Sequence, residues 1–366
     1  MKRLLLVGAG HAHAQVLRAW AQQPQPGTEL VLVSPSALAP YSGMVPGWLA
    51  GTYRYEQICI DFAALARAAG ARLVLDEMVA LAPALRRVTL ASGKTLDYEV
   101  LSLNIGSTLQ PPQQPGARWL SMRPLGGLHD AGEALWPELA AQDATRPFVV
   151  TAVGGGAAGF ESLLAVLQRL RGLMPDRPVR GRLISSGPAL LPGMAPGAVR
   201  AALAALRRAG VDLQLDTPWH DALAEGSDLL LWATGAIAHA WQRDADRRGG
   251  LAVSERDFVR IDAQLRSASH PDVFAVGDCA AWQPPLPKAG VYAVRMGPVL
   301  THNLRAALAG RALQSYRPQA SFLALLATGD GRAIASRGRW SAEGRWLWRW
   351  KDHIDRGFLR GFELAS

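Results

Sequence analysis

Apolar residues fall in short unbroken runs along this chain, and several of the runs end in glycine. Leu4–Val7 is the first. Gly8-Ala9-Gly10-His11-Ala12-His13 follows, then a helical stretch from Ala14 to Gln22 that Pro24, Pro26 and Gly27 end. Glu29–Val33 alternates little, as a strand buried on both faces does. This is strand, glycine turn, helix, strand: a βαβ unit. The same unit recurs at Phe148–Val153, with Gly154-Gly155-Gly156-Ala157-Ala158-Gly159 behind it and a helix through Glu161 to about Leu170. Pro175 to Pro178 break that helix, and Arg182–Ser185 is the next strand.

Between the units, Val88–Leu90, Ser92-Gly93-Lys94 and Leu96–Leu103 predict an exposed hairpin returning to the first sheet. The Pro-rich stretch Gln110–Gly116 suits a crossing between domains. Further on, Leu229–Trp232 ends in Ala233-Thr234-Gly235, and Val273–Val276 ends in Gly277-Asp278. The pattern predicts an α/β fold with two Rossmann-like dinucleotide-binding domains, the second inserted in the first. The first covers residues 1–107 and 250–310, the second 108–249, and a Trp/Arg-rich C-terminal region 311–366.

Composition narrows the reading. Hydrophobic residues are 49% and charged residues 19% of the 366, which excludes a disordered chain. The net charge of +9 suits anionic cofactors or an anionic surface, but no nucleic-acid-binding motif accompanies it. The two cysteines, Cys59 and Cys279, form no C-x-x-C pair, and no disulfide framework exists, which points to the cytoplasm. Met1–Val7 mimics the start of a signal peptide, yet its apolar run is too short, and no apolar run reaches transmembrane length.

The glycines carry the first chemistry. At the second turn Gly154 permits the tight bend, Gly156 lets backbone approach a pyrophosphate, and Gly159 lets helix and strand pack closely. The phosphates would sit at the helix N-terminus, where N–H groups are unpaired. The first turn has Gly8 and Gly10, but His13 stands in the third position, which predicts looser packing of that helix. His11 and His13 are two apart and share no helix face, so no metal pair is expected; both read as polar residues near the phosphates or the site mouth. Ser34 and Ser185 occupy the places where an acidic residue normally holds a ribose, leaving NADH against NADPH open.

Gly8-Ala9-Gly10, Asn104-Ile105-Gly106-Ser107, Gly154–Gly159 with Glu161, Ala233-Thr234-Gly235 and Phe274-Ala275-Val276-Gly277-Asp278 follow in order. This series resembles the pyridine nucleotide-disulfide oxidoreductase superfamily of two-dinucleotide-fold flavoproteins, type II NADH dehydrogenases above all. Pro40-Tyr41-Ser42-Gly43-Met44 and Lys288–Arg295 further resemble the NADH-dehydrogenase-like domain fused to selenide, water dikinase. The resemblance implies FAD and NAD(P)H as cofactors. It sets Gly8, Gly10 and His11 at the FAD phosphates and the Val79 backbone at the adenine. Ser42, Gly43, Met44 and Gly106 join the FAD set, and Asp278 holds the ribityl or pyrophosphate side with Gly277 permitting close approach. The helix from Gly290 would point at flavin O2, with Lys288 adding charge or standing solvated. The resemblance sets Glu161 near the nicotinamide; alternatively it is a first-turn acid complementing the helix dipole. Gly154, Gly156, Gly159, Ser185 and Gly235 complete the cofactor set.

These roles imply hydride transfer from NAD(P)H to FAD and on to a small-molecule electron acceptor. A quinone comes first, and a selenium- or sulfur-related molecule second. A redox-sensing scaffold with little turnover is a third reading. Cys279, at an expected helix start, reads as a thiol of lowered pKa or as a small buried residue. In the tail, Trp346, Trp350, Ile354 and Phe358 line one helix face and Arg345, Arg349, Arg356 and Arg360 the other. Such a helix lies on the inner face of a membrane, covers the flavin domain, or forms a homodimer contact.

Overall fold

The computed structural model describes residues 1–112, 118–141 and 146–363. Two five-stranded parallel sheets organise it, and in each the strand that precedes a glycine turn lies at the centre. The first sheet runs Val273–Ala275, Val100–Leu103, Lys2–Val7, Thr28–Ser34, Arg72–Leu75. The second runs Trp119–Ser121, Leu229–Trp232, Phe148–Val153, Val179–Ile184, Val211–Gln214. Central strands need apolar side chains on both faces, and Leu4, Leu5 and Leu6 are fully buried accordingly.

Helix α1 (His11–Gln22) leaves the first turn and buries Ala12, Ala14, Val16, Leu17 and Trp20. Helices α2 (Leu125–Ala140), α3 (Ala157–Leu173) and α4 (Pro196–Arg208) belong with the second sheet. The chain then returns: Val273–Ala275 pairs with Val100–Leu103 at the edge of the first sheet, and α5 (Gly290–Ala309) packs on α1.

Two expectations change in detail, and a third lies largely outside the described residues. The run Leu96–Leu103 is two strands. Thr95–Asp97 closes an antiparallel ribbon with Arg87–Leu90 and Met78–Ala82, whereas Val100–Leu103 enters the parallel sheet. Of the crossing at Gln110–Gly116, residues 113–116 lie outside the described residues. The tail holds a three-stranded antiparallel sheet, Ala324–Ala327, Ala333–Arg337 and Trp340–Gly344, before helix α6 (Arg345–Arg360). Leu326 and Ile334 of that sheet join the core of the second domain. Helix α6 turns Leu347, Lys351 and Asp355 inward, while Trp346 is 54% exposed and Trp350 and Ile354 are each 39% exposed. Phe358 departs from that outer face and packs on Tyr41, with ring centroids 4.6 Å apart.

Candidate active site

Both glycine turns face ligand space, but their glycines serve different neighbours. Gly8 has φ +97°, and a β-carbon there would stand 2.5 Å from Asn104 O. A β-carbon on Gly10 would stand 2.2 Å from Asn104 Oδ1. Asn104 Oδ1 accepts from the N–H groups of Ala12 (3.1 Å) and His13 (3.4 Å), and its Nδ2 donates to Val276 O (3.1 Å). One side chain therefore caps α1 and ties it to the Val273–Ala275 edge. His13 does not loosen the turn: its Nδ1 lies 2.7 Å from Gly8 O and its Nε2 2.8 Å from Ser102 Oγ, with no exposure at all. The imidazole fills the space that a glycine would leave, and burial pushes its pKa down to about 4.

At the second turn a β-carbon on Gly154 would meet Ala233 O at 2.3 Å, and one on Gly159 would meet Gly154 O at 1.9 Å. A β-carbon on Gly156 would meet nothing within 4 Å. Helix α3 starts beyond it with no side-chain cap, so its first N–H groups are free for an anion.

From the first turn a groove of about 850 Å³ runs between the two sheets. Of the residues singled out in the sequence, Gly8, Gly10, His11, Ser34, Ser42, Gly106 and Asp278 line it. Asp76, Glu77 and Met78 line it directly before Val79, whose backbone was expected at the adenine. Gly43 and Met44 stand behind Ser42, and Gly154, Gly156, Gly159, Ser185 and Gly235 form the separate second turn. The Ser34 hydroxyl donates to Ser36 O (2.7 Å), so its proton already has a partner. Ser185 Oγ accepts from Gly187 N (3.3 Å).

Arg123 was not read from the sequence. It precedes α2, and its Nη1 donates to both Asp278 and Ser107, joining the inserted domain to the first. Glu56, Asp76, Glu77, Asp130 and Asp278 line the groove, and Arg123 is its single Lys or Arg among the described residues. A pyrophosphate bound among those carboxylates needs this cation. His11 Nε2 is buried without a partner, and burial lowers its pKa to about 4, so the ring is neutral at pH 7. A partnerless buried nitrogen, a lone cation and two glycine turns fit a dinucleotide.

Glu161 and Lys288 stand outside the groove. Glu161 is half-buried, accepts from Ala327 N (2.8 Å), and is pushed up to about 7 by desolvation, with Lys351 opposing the shift. Lys351 donates to Gly43 O and to Asp355 Oδ2 (2.6 Å). Burial also raises Asp355, with Lys351 and Tyr41 as its partners in the opposite sense. Lys288 Nζ donates to Ala280 O (2.6 Å) over the Phe258 ring. Cys279 lies in a 3₁₀ turn (Gly277–Cys279) and not at an α-helix start; burial pushes its thiol up to about 11. Cys59 is likewise pushed up by burial, to about 12.

Dihydrolipoyl dehydrogenase of Vibrio cholerae is 36% identical over 83 residues, 23% of this chain and 17% of its own. Type II NADH:quinone oxidoreductase of Haemophilus influenzae is 26% identical over 149 residues, 36% of this chain and 33% of its own. The matches thus span a third or less of these curated relatives. The sulfide:quinone oxidoreductase structure from Aquifex aeolicus superposes with a TM-score of 0.79 at 17% identity, covering 100% of this chain and 93% of that one. A family model, pyridine nucleotide-disulphide oxidoreductase, matches residues 2–303. The chain belongs to that family of flavoproteins, whose cofactors are FAD and NAD(P)H.

Proposed function

We propose that this chain is an NAD(P)H:quinone oxidoreductase that works at a membrane surface. Helix α6 carries the reading. Its inner side supplies Lys351 and Asp355 to the buried cluster under Ser42–Met44, and its outer side offers Trp346, Trp350 and Ile354 to solvent beside Trp340. A quinone arrives from lipid and takes up protons as well as electrons on reduction. An apolar, basic outer face suits the lipid boundary. Glu161, with a pKa of about 7, holds or releases a proton near neutral pH.

Bound FAD supplies hydride uptake from NAD(P)H and onward electron transfer. The chain's own groups bind and orient. Gly156 and the free N-terminus of α3 seat the nicotinamide dinucleotide, and Arg123 with the first turn seats the flavin dinucleotide. The N-terminus of α5 abuts Ser42, since a β-carbon on Gly290 would meet Ser42 Oγ at 2.7 Å. Both thiols are held protonated by burial, which disfavours a sulfur or selenium substrate carried on cysteine.

The test is anaerobic mixing with NADH and NADPH, followed by turnover with a quinone embedded in anionic vesicles. The flavin should bleach with at least one nucleotide. Trp346→Ala with Trp350→Ala should lower vesicle binding and embedded-quinone turnover about tenfold, and leave ferricyanide reduction intact. Vesicle binding should weaken as salt screens the arginines. Bleaching without vesicle binding at low salt would move the acceptor to a water-soluble molecule.

A further inference from the structure

Beyond Asp278 lies a second cavity, of about 540 Å³. Its walls include Phe258, Trp282, Leu286, Tyr292 and Met296, an aromatic and aliphatic surface. Its charged groups are unbalanced. Arg256, Arg260 and Lys288 line it against Glu255, while Asp278 on the shared wall is already engaged by Arg123.

None of the three cations meets a carboxylate in an ion pair among the described residues. Arg256 Nη2 donates to Ala236 O (3.1 Å), Lys288 Nζ donates to Ala280 O (2.6 Å), and Arg260 reaches the exposed rim. Lys288 Nζ lies 3.7 Å from the centroid of the Phe258 ring. Burial lowers its pKa to about 8; Cys279 and Asp278 oppose that shift, and Arg256 and Arg123 add to it more weakly. A cation taken partly out of water beside other cations gains when an anion arrives. A ring-lined wall gains when a flat apolar body covers it. Pockets of this size hold small organic molecules.

We propose that this cavity binds an aromatic organic anion, its charge met by Lys288 and Arg256 and its ring by Phe258 and Trp282. The site is separate from the dinucleotide groove: Phe258, Arg260, Trp282 and Lys288 line this cavity alone. It does not depend on which acceptor the flavin serves. Because Asp278 lines both spaces, an occupant changes the charge environment on the flavin side.

The probe is 2-naphthoate, with neutral 2-naphthamide as its charge-free counterpart, titrated calorimetrically into the FAD-loaded protein. Naphthoate should bind at one saturable site, about tenfold or more tighter than the amide, and shift the flavin absorption bands. Lys288→Met should cost about tenfold in naphthoate affinity and leave the amide unchanged, while Lys288→Arg restores binding. Trp282→Ala should weaken both ligands. Flavin content and melting temperature establish that each variant is folded. Equal affinity for acid and amide, absence of binding, or full binding by Lys288→Met overturns the proposal. So does simple competition with NADH, which would put the probe in the nicotinamide site at the second glycine turn.

Discussion

A β-carbon on Gly10 would stand 2.2 Å from Asn104 Oδ1, whereas one on Gly156 would meet nothing within 4 Å. Both glycines hold the same place in their turns, yet only the second is kept small for a ligand alone. Gly10 is small because Asn104 crosses over it to reach Ala12 and His13. The third positions differ as well. Gly159 has backbone pressed on it, while His13 is a fitted strut between Gly8 O and Ser102 Oγ. The charge supply differs too. The first turn has N–H groups already given to Asn104 and gains Arg123 from the other domain; the second has an uncapped helix start. Counting glycines therefore misses part of each turn, because shape and charge at each are completed by residues far away in sequence.

The comparison can be broken most sharply by exchange. Gly159→His should cost roughly 3 kcal/mol or more, because its β-carbon overlaps Gly154 O, and it should abolish nucleotide-driven flavin bleaching. The reverse change, His13→Gly, should also destabilise, by about 2–4 kcal/mol, through a buried cavity and two lost hydrogen bonds. Thermal melts of both variants check this; a neutral His13→Gly would show that the histidine is a tolerated accident.

Arg123 sharpens the charge difference. Arg123→Ala should weaken FAD retention about tenfold and leave NAD(P)H affinity nearly unchanged, with Arg123→Lys intermediate. Flavin content after dialysis and nucleotide titration of the reconstituted protein separate the two. Equal losses at both sites would mean that Arg123 only holds the domains together.

Acid gives the smallest effect. His13 is lowered from 6.5 to about 4, so the folded state resists the proton that the unfolded state accepts. Its contribution is complete above pH 6.5 and is lost as pH falls towards 4. Glu161, raised to about 7, acts in the opposite sense over part of that range, so the variant is compared with the parent. His13→Asn should lose less melting temperature between pH 6.5 and 4 than the parent does. An identical pH dependence would mean that His13 takes up its proton as readily in the folded protein as in the unfolded chain.

The two βαβ units could be read because their signals are local: an apolar run, a glycine turn and a helix within some thirty residues. Asn104 appeared only as part of a motif and Arg123 not at all. Each acts across a sequence gap, 92 residues from Asn104 to Ala12 and 155 from Arg123 to Asp278, that no periodicity spans. The tail shows the same limit. Its amphipathic helix was readable from spacing, but its three short strands were masked by alanine, glycine and arginine. The second cavity was invisible for a related reason: Phe258, Trp282 and Lys288 belong to no periodic segment.

The edge strand Val273–Ala275 bears on how the protein is born. A ribosome delivers the whole inserted domain before it delivers this strand, Asp278 or α5. The first sheet waits with four of its five strands made and Val100–Leu103 presenting an open edge. A chain cut short before Asp278 lacks Arg123's partner in the groove and should purify without flavin.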